Sequence, residues 1–372
     1  MKPNIILVLL DGARVDRLEL FPEFIDLQKK GTILTNVTTA IPYTVGSVNV
    51  TFSGMFGKEN GVDGYYKVLE LQKSVELISE KFHNAGYYTC CDLLHKNVIA
   101  NRGFDIHQAH NEYEDDVMKL HPTFLKKIFS EKNEKPLFCF LHYTKIHTET
   151  VSEVLKKYEW DDVEFYEKID ENRVRYDKAF KNACQYAKMI QNTIEEIEEV
   201  GNTILIFFSD HGTGVGERYG ERNYGSYTYE ETIKTFYLFQ GKKILKNKKL
   251  KKLHSNLDVY PTLLELCNIS DNKERVGKSW KSILTNENSV ESDDEYTYSE
   301  TGALHGPFPS PEKSNVFCIK NKNKKLIYFE DPDRWELYDL ESDSNELNNI
   351  YDQNDKDEKI LKEKLLQWMN RE

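Results

Sequence analysis

Thr203-Ile204-Leu205-Ile206-Phe207-Phe208-Ser209-Asp210-His211-Gly212 is the stretch on which the fold turns. Apolar and β-branched residues run without a break into Ser-Asp-His-Gly. A continuous apolar run of this length, closed by turn residues, predicts a buried central strand. Its carboxyl end presents a carboxylate and an imidazole side by side, where open α/β sheets place their ligands. Taken alone, the Asp could equally cap the next turn and the His pack in the core. The start of the chain supplies an echo. Asn4 to Leu10 is a second apolar run, and it ends in Asp11-Gly12. Two buried strands that each end in Asp, one with an adjacent His, make a cation site. Carboxylate oxygens and one imidazole suit a hard or borderline divalent metal.

Outward from these strands, helix and strand signals alternate. Pro22 to Lys30 reads as a helix with Phe24 and Leu27 inward, and Gly31 to Val37 as a strand. The hydroxyl-rich loop Thr38 to Ser47 leads into Val48 to Phe52, with the features of a helix N-terminus that favours an anion or, more simply, of a Ser/Thr cap. Val68 to Asn84 is amphipathic and helical. Gly86 to Cys91 is a strand, and Leu137 to His142 is a buried one, with His147 in the following loop. Tyr176 to Val200 is a long helix, Thr235 to Phe239 a strand, and Ser255 to Cys267 a helix whose Pro261 sets its start near Tyr260. This alternation predicts an α/β protein with a doubly wound, mostly parallel sheet flanked by helices.

From Asp293 the character changes. Tyr296 to Ser299, Asn315 to Ile319, Leu326 to Phe329 and Trp335 to Leu340 are short strands. Asn321 to Lys324 reads as a hairpin turn, and Lys356 to Trp368 as a terminal helix. The expected division is a large catalytic domain over 1–290 and a small C-terminal antiparallel α+β subdomain over 291–372.

Composition narrows the function. A net charge of −12 argues against nucleic acid as partner, because that footprint would be basic. The basic run Lys242 to Lys252 reads as a solvated loop or helix face. None of the six cysteines forms a Cys-x-x-Cys pair and most sit in apolar stretches, which implies reduced thiols and a cytoplasmic location. The opening apolar run is short and ends in Asp, so it is a first strand rather than a signal peptide. No segment has the length and apolarity of a membrane span.

Taken in order, the motifs resemble the sulfatase family of the alkaline phosphatase superfamily across nearly the whole chain. Asp11-Gly12-x-Arg14-x-Asp16 is similar to the family's first metal segment. Pro42-Tyr43-Thr44-Val45-Gly46-Ser47 with Thr51-Phe52-Ser53-Gly54 has the spacing of its nucleophile loop. Phe140-Leu141-His142-Tyr143 with His147 looks like the substrate-side histidine loop. Ser209-Asp210-His211-Gly212 with Gly216-Glu217 looks like the second metal segment. Leu257-Asp258-Val259-Tyr260-Pro261-Thr262 and Glu336-Leu337-Tyr338-Asp339-Leu340 match late signatures.

The departures shape the chemistry that the resemblance implies. Sulfatases carry Cys or Ser at the nucleophile position, with Pro two residues on and Arg four residues on. Here the three positions hold Thr44, Gly46 and Val48, and threonine cannot be oxidised to formylglycine. Many sulfatases also have a second Asp where this chain has Gly12. The resulting expectation is a metal-dependent hydrolase of phosphate, or sulfate, esters with Thr44 as nucleophile. Two-metal members of the superfamily carry an Asp-x-x-x-His pair that this chain lacks, so the resemblance implies one divalent ion, held by Asp11, Thr44, Asp210 and His211. Mn²⁺, Mg²⁺ or Ca²⁺ fits that set better than Zn²⁺. His147 is the second catalytic candidate, and His142, Arg14 and His305 are candidates for binding a small anionic ester. The alternatives are a formylglycine-independent sulfuric ester hydrolase, a phosphoryl-group transferase and a catalytically inactive sulfatase-like binding module.

Overall fold

The computed structural model describes residues 2–62, 71–150, 159, 161–197, 202–302, 315–351 and 356–371. Among them a sheet of nine strands forms the centre, comprising β1 (Asn4–Leu10), β2 (Gly31–Thr38), β3 (Tyr88–Leu93), β4 (Ile106–Ala109), β5 (Leu137–Tyr143), β6 (Thr203–Phe208), β7 (Lys234–Gln240), β8 (Lys248–Leu250) and β9 (His254–Ser255). The order is β4-β3-β5-β1-β6-β7-β2-β8, with β9 also on β2. The pairing is parallel except at β7, which runs antiparallel to both β6 and β2. The sheet is therefore mixed, with one reversed strand.

β1 and β6 are buried throughout, as their unbroken apolar runs require. Alternate residues face opposite sides. Ile5, Leu7, Leu9, Phe138, Phe140, Ile206 and Phe208 pack against helices Thr44–Ser53, Ile78–Asn84 and Val259–Leu266. Ile6, Val8, Leu10, Cys139, Leu141, Leu205 and Phe207 pack against Pro22–Lys29, Val117–Glu131 and Ile169–Glu196. Each fully buried side chain of this size contributes roughly 1.5–3 kcal/mol of transfer free energy. Leu9 pairs with His142 on one side and with Phe208 on the other. That register brings His142, Asp11 and Asp210 to the same end of three adjacent strands.

A second, antiparallel sheet has β10 (Thr297–Gly302), β11 (Asn315–Lys320), β12 (Lys324–Phe329) and β13 (Arg334–Asp339), in that order. The Asn321 side chain caps the β11–β12 turn by accepting from the Asn323 and Lys324 N–H groups at 3.0 and 2.7 Å. Ile319, Leu326 and Leu337 form a cross-strand row facing Leu361, Leu365 and Trp368 of the terminal helix, with Tyr43 and Val50 in the same cluster. The other face packs on Tyr227, Tyr229 and Ile233. The small sheet thus braces the helix that follows Thr44.

Several boundaries differ from expectation. The helix expected over Val68–Asn84 spans only Ile78–Asn84, and residues 63–70 lie outside the described ones. Glu80 accepts from the Leu77 N–H at 2.8 Å and so fixes the helix start there. The long helix begins earlier, at Ile169, with Asp170 and Glu171 favouring its first turn. A helix over Val117–Glu131 was not expected. Asp116 caps it through the Met118 N–H at 3.1 Å, and Pro122 within it masked the pattern. His147 lies in the short helix Lys145–Thr150 rather than in a loop. The basic run Lys242–Lys252 contains the edge strand β8, with Leu250 buried. Pro261 falls in the first turn of Val259–Leu266, where its missing N–H costs little.

Candidate active site

Asp11 leaves β1 buried, and four side chains close on its carboxylate. Oδ1 lies 2.6 Å from His147 Nε2 and 3.4 Å from His211 Nε2. Oδ2 lies 2.9 Å from His142 Nε2 and accepts from the Thr44 hydroxyl at 3.2 Å. Thr44 is the first residue of helix Thr44–Ser53, and its Oγ1 is also 3.4 Å from His211 Nε2. Asp210 Oδ1 accepts from the Gly12 and His211 N–H groups at 3.3 and 2.9 Å, while its Oδ2 faces His211 Nε2 across 3.4 Å. Tyr224 roofs the cluster, its ring centroid 4.2 Å from that of His211 and 4.6 Å from that of His147.

Proton inventories follow from the partners. His211 Nδ1 is 2.7 Å from the Gly212 carbonyl, which can only accept, so the neutral ring presents a lone pair at Nε2. His142 Nδ1 accepts from the Leu94 N–H at 3.4 Å, so its Nε2–H donates to Asp11. Both nitrogens of His142 are thereby used within the protein. Burial alone would raise the Asp11 pKa, but the charges and hydrogen bonds of His147 and His142 override it and hold the carboxyl well below the usual range. Burial, and then the charge of Asp11, push Asp210 well above it.

The donor set suits a cation. Asp210 Oδ2 is buried and has no hydrogen-bond partner. Asp11 Oδ1 and Asp210 Oδ2 each face His211 Nε2 across 3.4 Å. Donor atoms of Asp11, His147 and His211 lie within 4.8 Å of one another. A divalent ion would supply the positive charge these acceptors lack, with mostly oxygen ligands completed by imidazole.

The sequence candidates divide clearly. Asp11, Thr44, Asp210, His211, His142 and His147 come together. His142, a candidate for substrate binding, is fully buried, and both its ring nitrogens are bonded within the protein. Arg14 does not join them. Its guanidinium binds Asp16 at 2.9 and 3.0 Å, Glu217 at 2.6 Å and the Thr213 carbonyl at 3.0 Å, which leaves it no fork for an anion. His305 lies outside the described residues.

Supporting residues went unread. Tyr176 and Thr213 both donate to the Gly12 carbonyl, at 2.9 and 2.8 Å. Ser47 donates to the Asp210 carbonyl at 2.9 Å. Asn256 accepts from the Ala40 N–H at 3.1 Å and so ties down the loop before Thr44. The one local signal was the adjacency of Thr213 to Asp210-His211-Gly212.

The departures have steric reasons. A Cβ on Gly12 would lie 2.3 Å from His147 Cε1, so a second Asp there would displace the ring. A Cβ on Gly46 would lie 2.4 Å from Ile41 Cγ2 and 2.8 Å from Tyr43 Cε2, which excludes Pro. Val48 is a core residue packed with Phe52.

A mixed sheet with carboxylates, imidazoles and a helix-borne hydroxyl gathered at its carboxyl ends is the frame of a hydrolase site. The chain belongs to the sulfatase family: the Sulfatase family model matches residues 3–269, and the model for the N-sulphoglucosamine sulphohydrolase C-terminal region matches 222–371. An arylsulfatase of Clostridium perfringens (strain 13 / Type A) is 25% identical over 462 residues, covering 97% of this chain and 92% of that protein. Among solved structures, a protein in complex with its substrate D-glucosamine-2-N,6-O-disulfate has a TM-score of 0.76 at 17% identity, covering 99% of this chain and 98% of that one. A phosphonate monoester hydrolase of Silicibacter pomeroyi has a TM-score of 0.78 at 13% identity, covering 99% and 94%.

Proposed function

We propose that this hydrolase cleaves phosphate or phosphonate esters through Thr44 as a metal-activated nucleophile. The observation that carries the reading is the convergence of Asp11 Oδ2, at 3.2 Å, and His211 Nε2, at 3.4 Å, on Thr44 Oγ1. A threonine ester can be broken only by a second displacement, which phosphorus accepts in line. One divalent ion (Mn²⁺, Mg²⁺ or Ca²⁺ ahead of Zn²⁺), held by Asp11, Asp210, His211 and Thr44 Oγ1, would lower the hydroxyl pKa and neutralise the transferred group.

Thr44 Oγ1 gives its proton to water and forms a bond to phosphorus while the bond to the leaving oxygen breaks. His147, held at Nε2 by Asp11, passes a proton from Nδ1 to that oxygen. Water then attacks phosphorus and gives one proton to His147, the Thr44 Oγ1–phosphorus bond breaks, a proton from water restores the Thr44 hydroxyl, and phosphate or phosphonate is released. Tyr43 at the N-cap makes no side-chain cap bond, which leaves the first-turn N–H groups for the anion. The partner is a small anionic ester. Six buried free thiols support a reducing, cytoplasmic setting, and among the described residues no helix is long and apolar enough to cross a membrane.

A second reading, sulfate esters without formylglycine, is favoured by the arylsulfatase relative that matches 97% of the chain. The test is turnover of p-nitrophenyl phosphate, bis-p-nitrophenyl phosphate and p-nitrophenyl sulfate with added Mn²⁺. The phosphoryl esters are expected to turn over faster, EDTA to abolish the rate, and Thr44→Ala to lower it by roughly 10³-fold or more. A wild-type rate in Thr44→Ala would end the nucleophile assignment. Turnover of the sulfate ester alone would select the second reading.

A further inference from the structure

The loop 110–116 leaves β4 at the carboxyl end of the sheet, the edge that also carries Asp11 and Asp210. Hydrogen bonds hold it in shape. His110 is anchored by its N–H to the Leu93 carbonyl at 2.9 Å and by its Nδ1 to Asp92 Oδ1 at 2.5 Å. Asn111 Oδ1 accepts from the Tyr113 N–H at 3.0 Å, and Asp115 Oδ2 accepts from the Asn111 N–H at 2.7 Å. The Lys145 ammonium donates to the Glu112 carbonyl, which ties the loop to the short helix that carries His147. Burial, and then the charge of Asp11, raise the Glu112 pKa, while the charges of His147 and Lys145 lower it. The Glu112 carboxyl therefore stands within electrostatic reach of the residues gathered at Thr44.

We propose that Glu112 selects substrates whose leaving alcohol carries an ammonium group. This rests on the ester-cleaving reading of the site given above and names its substrate class. Glu112 Oε2 is buried and has no hydrogen-bond partner, and neither has Thr144 Oγ1, next to Lys145 in the chain. Buried polar atoms are rarely left so, and two along one wall of a site point to a ligand group that meets them. In the reaction proposed above, His147 gives its proton to the leaving oxygen, so the alcohol departs on the side of the short helix to which Glu112 is tied. A carboxylate there repels an anionic ester whose leaving group is neutral, and attracts one whose leaving group is a cation. Lys145 is engaged at the Glu112 carbonyl and leaves Oε2 open. A substrate hydroxyl would satisfy the oxygen but not its charge, whereas an ammonium group answers both. The next residue, Tyr113, is 61% exposed and offers an aromatic face of the kind on which ammonium groups also rest.

The test is a ratio of affinities that does not depend on turnover. The full chain carrying Thr44→Ala is titrated calorimetrically, with Mn²⁺ present, with aminoalkyl phosphates of increasing chain length, each matched to the alkyl phosphate in which a methyl replaces the ammonium. At the chain length that reaches Glu112, the amine should bind about tenfold or more tighter than its match. Adding Glu112→Gln, which keeps the shape and removes the charge, should bring the ratio close to one. Equal affinities for every matched pair in the parent, no measurable binding of any amine, or a preference that survives Glu112→Gln would overturn the proposal. Aminoalkyl and alkyl sulfates give the same ratio under the sulfate reading, so selection for the ammonium is judged whichever ester is cut. Failure of the Thr44 assignment shows separately, as a wild-type rate of Thr44→Ala on the p-nitrophenyl esters.

Discussion

Gly12→Ala isolates what holds His147, the proposed proton donor, in place. Gly12 has φ of +73°, and a Cβ there would sit 2.3 Å from His147 Cε1 and 2.7 Å from Thr213 Oγ1. Ordinary carbon contacts are about 3.5–4.0 Å, so the ring must retreat by roughly 1 Å. It lies between Tyr224 and His211, with centroids 4.6 and 5.5 Å away, and the retreat must break its 2.6 Å contact with Asp11. A misplacement of about 1 Å in a catalytic group costs about 10²-fold in rate. The left-handed backbone costs a further ~1–2 kcal/mol of stability. Gly86→Ala is the control: its φ is +87°, but a Cβ there meets nothing within 4 Å. The assay is kcat/KM on the best p-nitrophenyl ester, alongside urea denaturation. Both variants should lose about 1–2 kcal/mol of stability, and only Gly12→Ala should lose activity. Near wild-type kcat/KM in Gly12→Ala would refute the reasoning, as would an equal loss in Gly86→Ala.

Two further predictions concern buried charge. Lys325 is fully buried and pairs with Glu346 at 2.8 Å and Glu230 at 3.5 Å where the small sheet meets the large one. Lys325→Met leaves both carboxylates short of a partner and should cost about 3–5 kcal/mol by urea denaturation; a loss under about 1 kcal/mol would show that the pair is solvated. Burial, and then Glu231, push the Glu221 carboxyl up to about 8. Because the folded value is raised, the unfolded chain releases its proton first, and stability is lost as pH rises from about 4.5 to about 8. Glu221→Gln, still able to accept from the Ser226 and Tyr227 N–H groups, should flatten that loss, by up to about 1.4 kcal/mol per pH unit. Parallel stability profiles of the two proteins between pH 5 and 8 would exclude the assignment.

Asn4–Leu10 and Thr203–Phe208 were legible as buried strands because an unbroken apolar run with a polar stop is local information. The same signal marked Asp11, which directly follows one such run, and Asp210 and His211, which follow the other within three residues. The reversed β7, the helix over Val117–Glu131 and the first-turn position of Pro261 depend on what each segment packs against. Neighbouring sequence does not state those partners. Asp11 gathers His142 and His147 from residues 131 and 136 positions away along the chain. Arg14, which follows Asp11 closely in sequence, turns away to Asp16 and Glu217. The lateral order β5-β1-β6 made those choices. Burial of both sheet faces sets that order and the register with it, and the energy that enforces it is spread over the whole core rather than written beside any one of the site's residues.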